Sequence, residues 1–148
     1  MDDIKRGISC TLNEGGIEEL LRFLSQISCT FFSPWCSKID SPKQWLPGDT
    51  RDFYLDSQGL CTLAKSTIWE LVLHMYPEGE TAQKIETYED FLQSKCFCCM
   101  IYYDCGWLDI YIKDPALFEQ VHSKLLSLNA EDFEILTATN DGRTALMC

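Results

Sequence analysis

The sequence predicts an α+β fold: a mixed, mostly antiparallel sheet of about seven strands with about three helices. Three observations predict it. Apolar and polar residues alternate at period two over residues 5–12, 67–76 and 107–113, as half-buried strands require. Apolar spacing turns helical over residues 17–27 and 117–128. Turn-forming residues stand between these runs, at 13–16, 77–79, 104–106 and 140–142. With 148 residues, 46% hydrophobic and 24% charged, the composition is that of a folded chain and excludes disordered and collagen-like classes. Residues 1–148 are therefore read as one α+β domain.

The elements follow in order. Ile8, Cys10 and Leu12 share one face of the first strand. Ile17, Leu20, Leu21, Leu24 and Ile27 form the stripe of the first helix, with Glu18, Glu19, Arg22 and Gln26 opposite. Cys29 to Phe32 returns as a strand extending toward Cys36, with Pro34 marking a bulge or an edge. The order is βαβ. Residues 37–58 are the least regular stretch. Ser41-Pro42 starts one helical turn that Pro47-Gly48 ends, and Trp35 and Trp45 pack it down. A short helix follows over residues 57–64.

Residues 67–76 are a strand with Trp69, Leu71, Leu73 and Met75 on one face and Glu70, Val72, His74 and Tyr76 on the other. Thr87 caps a short helix, and Asp90 completes a capping box. Residues 96–103 are apolar almost without interruption, so they form a central strand. Asp104-Cys105-Gly106 is a turn with glycine in the left-handed position, and residues 107–113 pair back with Leu108, Ile110 and Ile112 inward. Asp114-Pro115 starts the last helix, whose stripe is Leu117, Phe118, Val121, Leu125 and Leu128, and Asn129 closes it. Residues 133–136 are another strand, 140–142 a turn, and 143–147 a final strand.

The formal charge is −11, from 23 acids and 12 bases. Residues 1–74 hold ten acids and seven bases, whereas residues 75–148 hold thirteen and five. Nucleic acids and anionic membranes repel such a surface, so neither is an expected partner. A charged amino terminus without an apolar run predicts a cytoplasmic protein. In that compartment the nine cysteines are read as reduced thiols that fill space.

No arrangement of residues converges on a reactive centre. Cys96, Cys98, Cys99 and Cys105 are close in sequence, but a strand points Cys96 and Cys98 one way and Cys99 the other. No metal site, cofactor or catalytic residue is expected from that spacing. His74 and His122 lie within regular elements, away from any nucleophile motif. The Gly15-Gly16 turn before a helix is crowded by Glu14, Glu18 and Glu19, which disfavours an anion. Two places remain as candidates for binding a ligand or a partner. Trp107, Asp109 and Tyr111 share a strand face, either a contact patch or an exposed sheet surface. Asp141 and Arg143 lie at the last turn, where Arg143 either pairs with Asp141 or Glu134, protects an edge strand, or holds an anion.

Several segments carry a resemblance: Lys5-Arg6-Gly7-Ile8-Ser9, Tyr76-Pro77-x-Gly79, Ile85-x-Thr87-Tyr88-Glu89-x-Phe91-Leu92-x-Ser94-x-Cys96, Ile110-Tyr111-x-Lys113-Asp114, and Asn140-Asp141-x-Arg143-Thr144-x-Leu146. In this order the chain resembles an uncharacterised small bacterial protein family, a domain of unknown function. The resemblance implies a compact cytosolic α+β domain and assigns no catalytic residue.

The expected function is a non-enzymatic protein-interaction domain. Its partner would be a basic protein, or a second copy of the chain. Its sharpest form is an immunity-type acidic inhibitor of a basic toxin. The alternative is a small-molecule-binding protein or enzyme with its site near the 103–111 hairpin and the 140–144 turn.

Overall fold

The computed structural model describes residues 4–34, 38–40, 52–104 and 106–147. The helical turn expected at 41–48, Trp35 and Trp45 lie outside these residues.

The fold is α+β, an open sheet faced by helices. The strands are β1 (Gly7–Thr11), β2 (Thr30–Ser33), β3 (Lys38–Asp40), β4 (Phe53–Leu55), β5 (Thr67–Tyr76), β6 (Cys98–Tyr103), β7 (Trp107–Ile112) and β8 (Glu131–Leu136). The helices are α1 (Gly16–Leu24), α2 (Ser57–Leu63), α3 (Tyr88–Gln93) and α4 (Pro115–Ser127). Seven strands follow the order β4-β2-β5-β6-β7-β1-β8, and β3 shares an edge of β5 with β2. Every pairing among the described residues is antiparallel, so the mixed character expected of the sheet is absent there. β1 and β2 still run the same way, three strands apart, because α1 carries the chain across the sheet.

Period two sorts the side chains. Leu71, Leu73 and Met75 of β5, Cys98, Met100 and Tyr102 of β6, and Leu108, Ile110 and Ile112 of β7 form one face. Leu20, Leu21 and Leu24 of α1, Leu60 and Leu63 of α2, and Leu117, Phe118, Val121 and Leu125 of α4 cover it. The opposite face carries Val72, Tyr76, Cys99, Ile101 and Tyr111. Its cover is Phe91 of α3, Ile85 from the loop before it, and Leu146 from the carboxyl-terminal segment.

Local chemistry explains the boundaries. Asp114 caps α4 by accepting from the Leu117 N–H at 3.1 Å, with Pro115 in the first turn. Asn129, at φ 59°, ends it. Thr87 and Asp90 form the expected reciprocal capping box on α3. At the β6–β7 turn the expectation is corrected: Asp104, at φ 51°, takes the left-handed conformation, and Gly106 does not. The strand expected over 143–147 is a correction. This segment makes no sheet ladder and folds as irregular chain onto the second face. Among the described residues no helix is long and apolar enough to cross a membrane.

Candidate functional site

The candidate site lies on the second face, where β1, β6 and β7 meet the carboxyl-terminal segment. β7 alternates, so Asp109 and Tyr111 point away from the three-helix face. Of the two readings of this face, the exposed sheet surface is corrected by the fold. Asp109 is 7% exposed and Tyr111 fully buried, because residues 77–91 and 137–147 close over them. Trp107, at the start of β7, stays 40% exposed and stands outside the polar cluster.

Arg143 reaches Asp109 with two donors. Its Nε and Nη2 approach Asp109 Oδ2 at 3.1 and 2.8 Å. Tyr103 donates its hydroxyl to the same oxygen at 3.3 Å, and the guanidinium lies over the Tyr103 ring at 5.1 Å. Arg143 Nη1 donates to the carbonyls of Ala145 and Met147. The side-chain partner is thus Asp109 rather than Asp141 or Glu134. Four of the five guanidinium N–H groups are committed within the chain, which weakens the anion-holding role. Burial opposes the Arg143 charge, but hydrogen bonding and the charge of Asp109 outweigh it and its pKa rises.

Asp141 is the second node. Its Oδ1 accepts from the Tyr111 hydroxyl at 3.0 Å and from the Arg143 backbone N–H at 3.2 Å. Its Oδ2 accepts from Arg6 Nη1 at 3.3 Å. Arg6 stacks on Tyr88 at 4.1 Å, and Tyr88 leans on Tyr111. The main chain holds Arg6 between two strands: its N–H donates to Leu136 and its carbonyl accepts from Ile112. Gly7 is required beside it. A Cβ there would collide with the Ile110 carbonyl and lie 3.0 Å from Tyr111 Cα. Burial, then the charge of Asp141, raises the Tyr111 pKa; burial, then Asp109, raises that of Tyr103. Both phenols stay protonated and donate.

Beside these pairs lies an open cleft of about 500 Å³. Three carboxylates, Asp109, Glu134 and Asp141, line it against one base, Arg143. Four of the five residues singled out in the sequence, Asp109, Tyr111, Asp141 and Arg143, therefore meet. Arg6, Tyr88, Tyr103 and Glu134 join them. Arg6 and Tyr88 lie in segments that carried the family resemblance, and that was the available signal. Tyr103 follows from the alternation of β6 once the opposite face is known to be covered.

The thiols behave differently. Burial pushes Cys10 and Cys29 up to about 12 and Cys96 up to about 11, and raises Cys98 well above its usual range. They are neutral and poor nucleophiles. Cys96 precedes β6 and packs with Cys99 on the second face, not with Cys98 as strand alternation had implied. Among the described residues no three His, Cys, Asp or Glu side chains gather as a metal ion would need. His74 is 2% exposed, neither ring nitrogen has a hydrogen-bond partner, and burial lowers its pKa to about 4. His122 sits on α4 against the Phe133 ring.

The chain is 31% identical over 74 residues to the uncharacterized protein YncE of Bacillus subtilis (strain 168). That match spans 50% of this chain and 48% of YncE, so the chain covers about half the length of the curated relative. No solved structure matches it. Residues 5–147 match the family described as protein of unknown function (DUF2691), and the chain, with its part-buried Asp109–Arg143 pair and acid-lined cleft, belongs to that family.

Proposed function

We propose that the chain is a non-enzymatic protein-interaction domain that receives a basic segment of a partner protein. One observation carries this reading: of the three carboxylates that line the cleft, Asp109 and Asp141 are paired with Arg143 and Arg6, which leaves the exposed Glu134 to meet an incoming cation. Glu134 on the rim is exposed and faces incoming charge. The field therefore attracts cations, and a net charge of −11 strengthens it at long range. In its sharpest form the partner is a basic toxin and the chain is its immunity-type inhibitor. Absence of a basic toxin encoded beside the gene would count against that form. Such a role would place the chain in the cytoplasm.

The test is an NMR titration of the full chain with a lysine- and arginine-rich nonapeptide at low and high salt. Shifts should concentrate at Ser9, Glu134 and residues 140–144, and Glu134→Lys should weaken binding by about tenfold. Shifts spread evenly over the acidic surface, or no response to Glu134→Lys, would refute the reading.

A further inference from the structure

Residues 137–147 form no helix or strand, yet they lie on the second face and are held there at three points. Asp141 accepts from Arg6 and Tyr111. Arg143 meets Asp109 and the Tyr103 ring. Leu146 is 1% exposed within the second core, and its N–H donates to the Glu86 carbonyl at 2.8 Å. The receiving groups all belong to ordered parts of the fold. Asp109 and Tyr111 are on β7, Tyr103 is on β6, and Glu86 immediately precedes the capped start of α3. The receiving groups thus come from the sheet and the start of α3, not from the segment itself. A buried carboxylate beside a tyrosine face is a socket for guanidinium. An aliphatic socket and a free-standing carbonyl acceptor lie where the third residue after the arginine sits.

We infer that residues 141–147 are an internal ligand in a recognition groove. The groove's external ligand is a partner segment bearing arginine, followed three residues later by leucine or a similar aliphatic residue. This rests on the partner-binding reading above and names the chemistry of the partner. The carboxyl-terminal segment leaves as the partner segment enters. The incoming guanidinium takes the Asp109 carboxylate and the Tyr103 ring. The incoming aliphatic side chain takes the place of Leu146, and its N–H takes the Glu86 carbonyl. Lysine is a poorer substitute, because Asp109 Oδ2 receives Nε and Nη2 of one planar fork. The tethered segment competes at high effective concentration, so weakly matched segments are excluded.

The experiment uses the full-length chain carrying Arg143→Ala and Leu146→Ala together, which removes both side chains from the groove. The probe is a fluorescent nonapeptide, Thr-Asn-Asp-Gly-Arg-Thr-Ala-Leu-Met, with the sequence of residues 139–147. Anisotropy should show binding about tenfold tighter than to the wild-type chain. Changing the peptide's arginine to lysine, or its leucine to alanine, should each weaken binding by about tenfold. Equal affinity for variant and wild type, or indifference to the arginine, overturns the inference. The wild-type chain offers an independent measurement that needs no variant to fold. Its Arg143 and Leu146 amides should exchange with solvent at least about tenfold faster than those of β6 and β7. Exchange of the segment only together with the sheet overturns the inference. A basic segment that binds at Glu134 while Arg143 and Leu146 stay in place overturns the groove but leaves the partner-binding reading standing. A dimer that disappears with Leu146→Ala would assign the groove to a second copy and overturn the external ligand.

Discussion

The two faces of the sheet bury side chains by different chemistry. The three-helix face joins apolar residues of α1, α2 and α4 to those of β1, β5, β6 and β7, and among the described residues no buried charged side chain lies there. The second face is covered by the six-residue α3, the loop before it and residues 137–147, and it contains Asp109, Asp141, Arg6, Arg143 and His74. Apolar burial stabilises in proportion to area and is indifferent to small changes of angle. Buried ion pairs gain little net stability against their desolvation, but they demand one geometry. The first face therefore holds the fold together. The second orients the carboxyl-terminal segment over an acidic cleft, and that is where we propose a partner is read.

Substitutions at three places test this contrast. The largest loss is expected on the apolar face. Leu73→Ala, at a fully buried position of β5, should cost about 3 kcal/mol in denaturant unfolding, from lost transfer energy and the cavity left behind. A cost below about 1 kcal/mol would mean that the helices relax onto the sheet, and the contrast would fail.

Next comes His74, which the second face holds neutral. The unfolded chain titrates this group near 6.5 and the folded chain near 4, so the unfolded state takes up the proton first. The stability contribution is complete above pH 6.5 and is lost as pH falls toward 4. The loss over that window is on the order of 3 kcal/mol. His74→Leu also removes two unsatisfied ring nitrogens, so it should raise stability at pH 7 and flatten the acid limb. Unfolding midpoints measured from pH 7.5 to 4 check both. An unchanged slope in the variant would mean that His74 is not the group responsible.

The smallest effect concerns the ion pair. Asp109→Ala leaves Arg143 without its carboxylate and should cost about 2 kcal/mol, discounted because both side chains keep some exposure. Asp109→Leu with Arg143→Leu should fall within about 1 kcal/mol of wild type. The coupling across Asp109→Leu, Arg143→Leu and the double variant is the readout. A double variant as unstable as Asp109→Ala would show that the pair supports the fold itself, and the two faces would then be alike.

How much of this was legible depended on the distance over which each signal acts. Capping, turn chemistry and periodicity are local. Thr87 and Asp90, Asp114-Pro115, the bounds of β5, and the inward set Leu108, Ile110 and Ile112 could therefore be read from neighbouring residues alone. Alternation also places Asp109 and Tyr111 on one face. It does not say whether that face is covered, because the cover comes from residues 77–91 and 137–147, far along the chain. The three-residue strands β3 and β4 were missed, since so few residues show no period. Residues 143–147 have the composition of a strand, but Arg143 and Leu146 bind the sheet face and the segment joins no edge. Charge and residue order were enough to propose an acidic partner surface. The pairing of Arg143 with Asp109, and of Arg6 with Asp141, arose from long-range packing, because attraction between any base and any acid is unspecific until the backbone brings one pair within hydrogen-bonding reach.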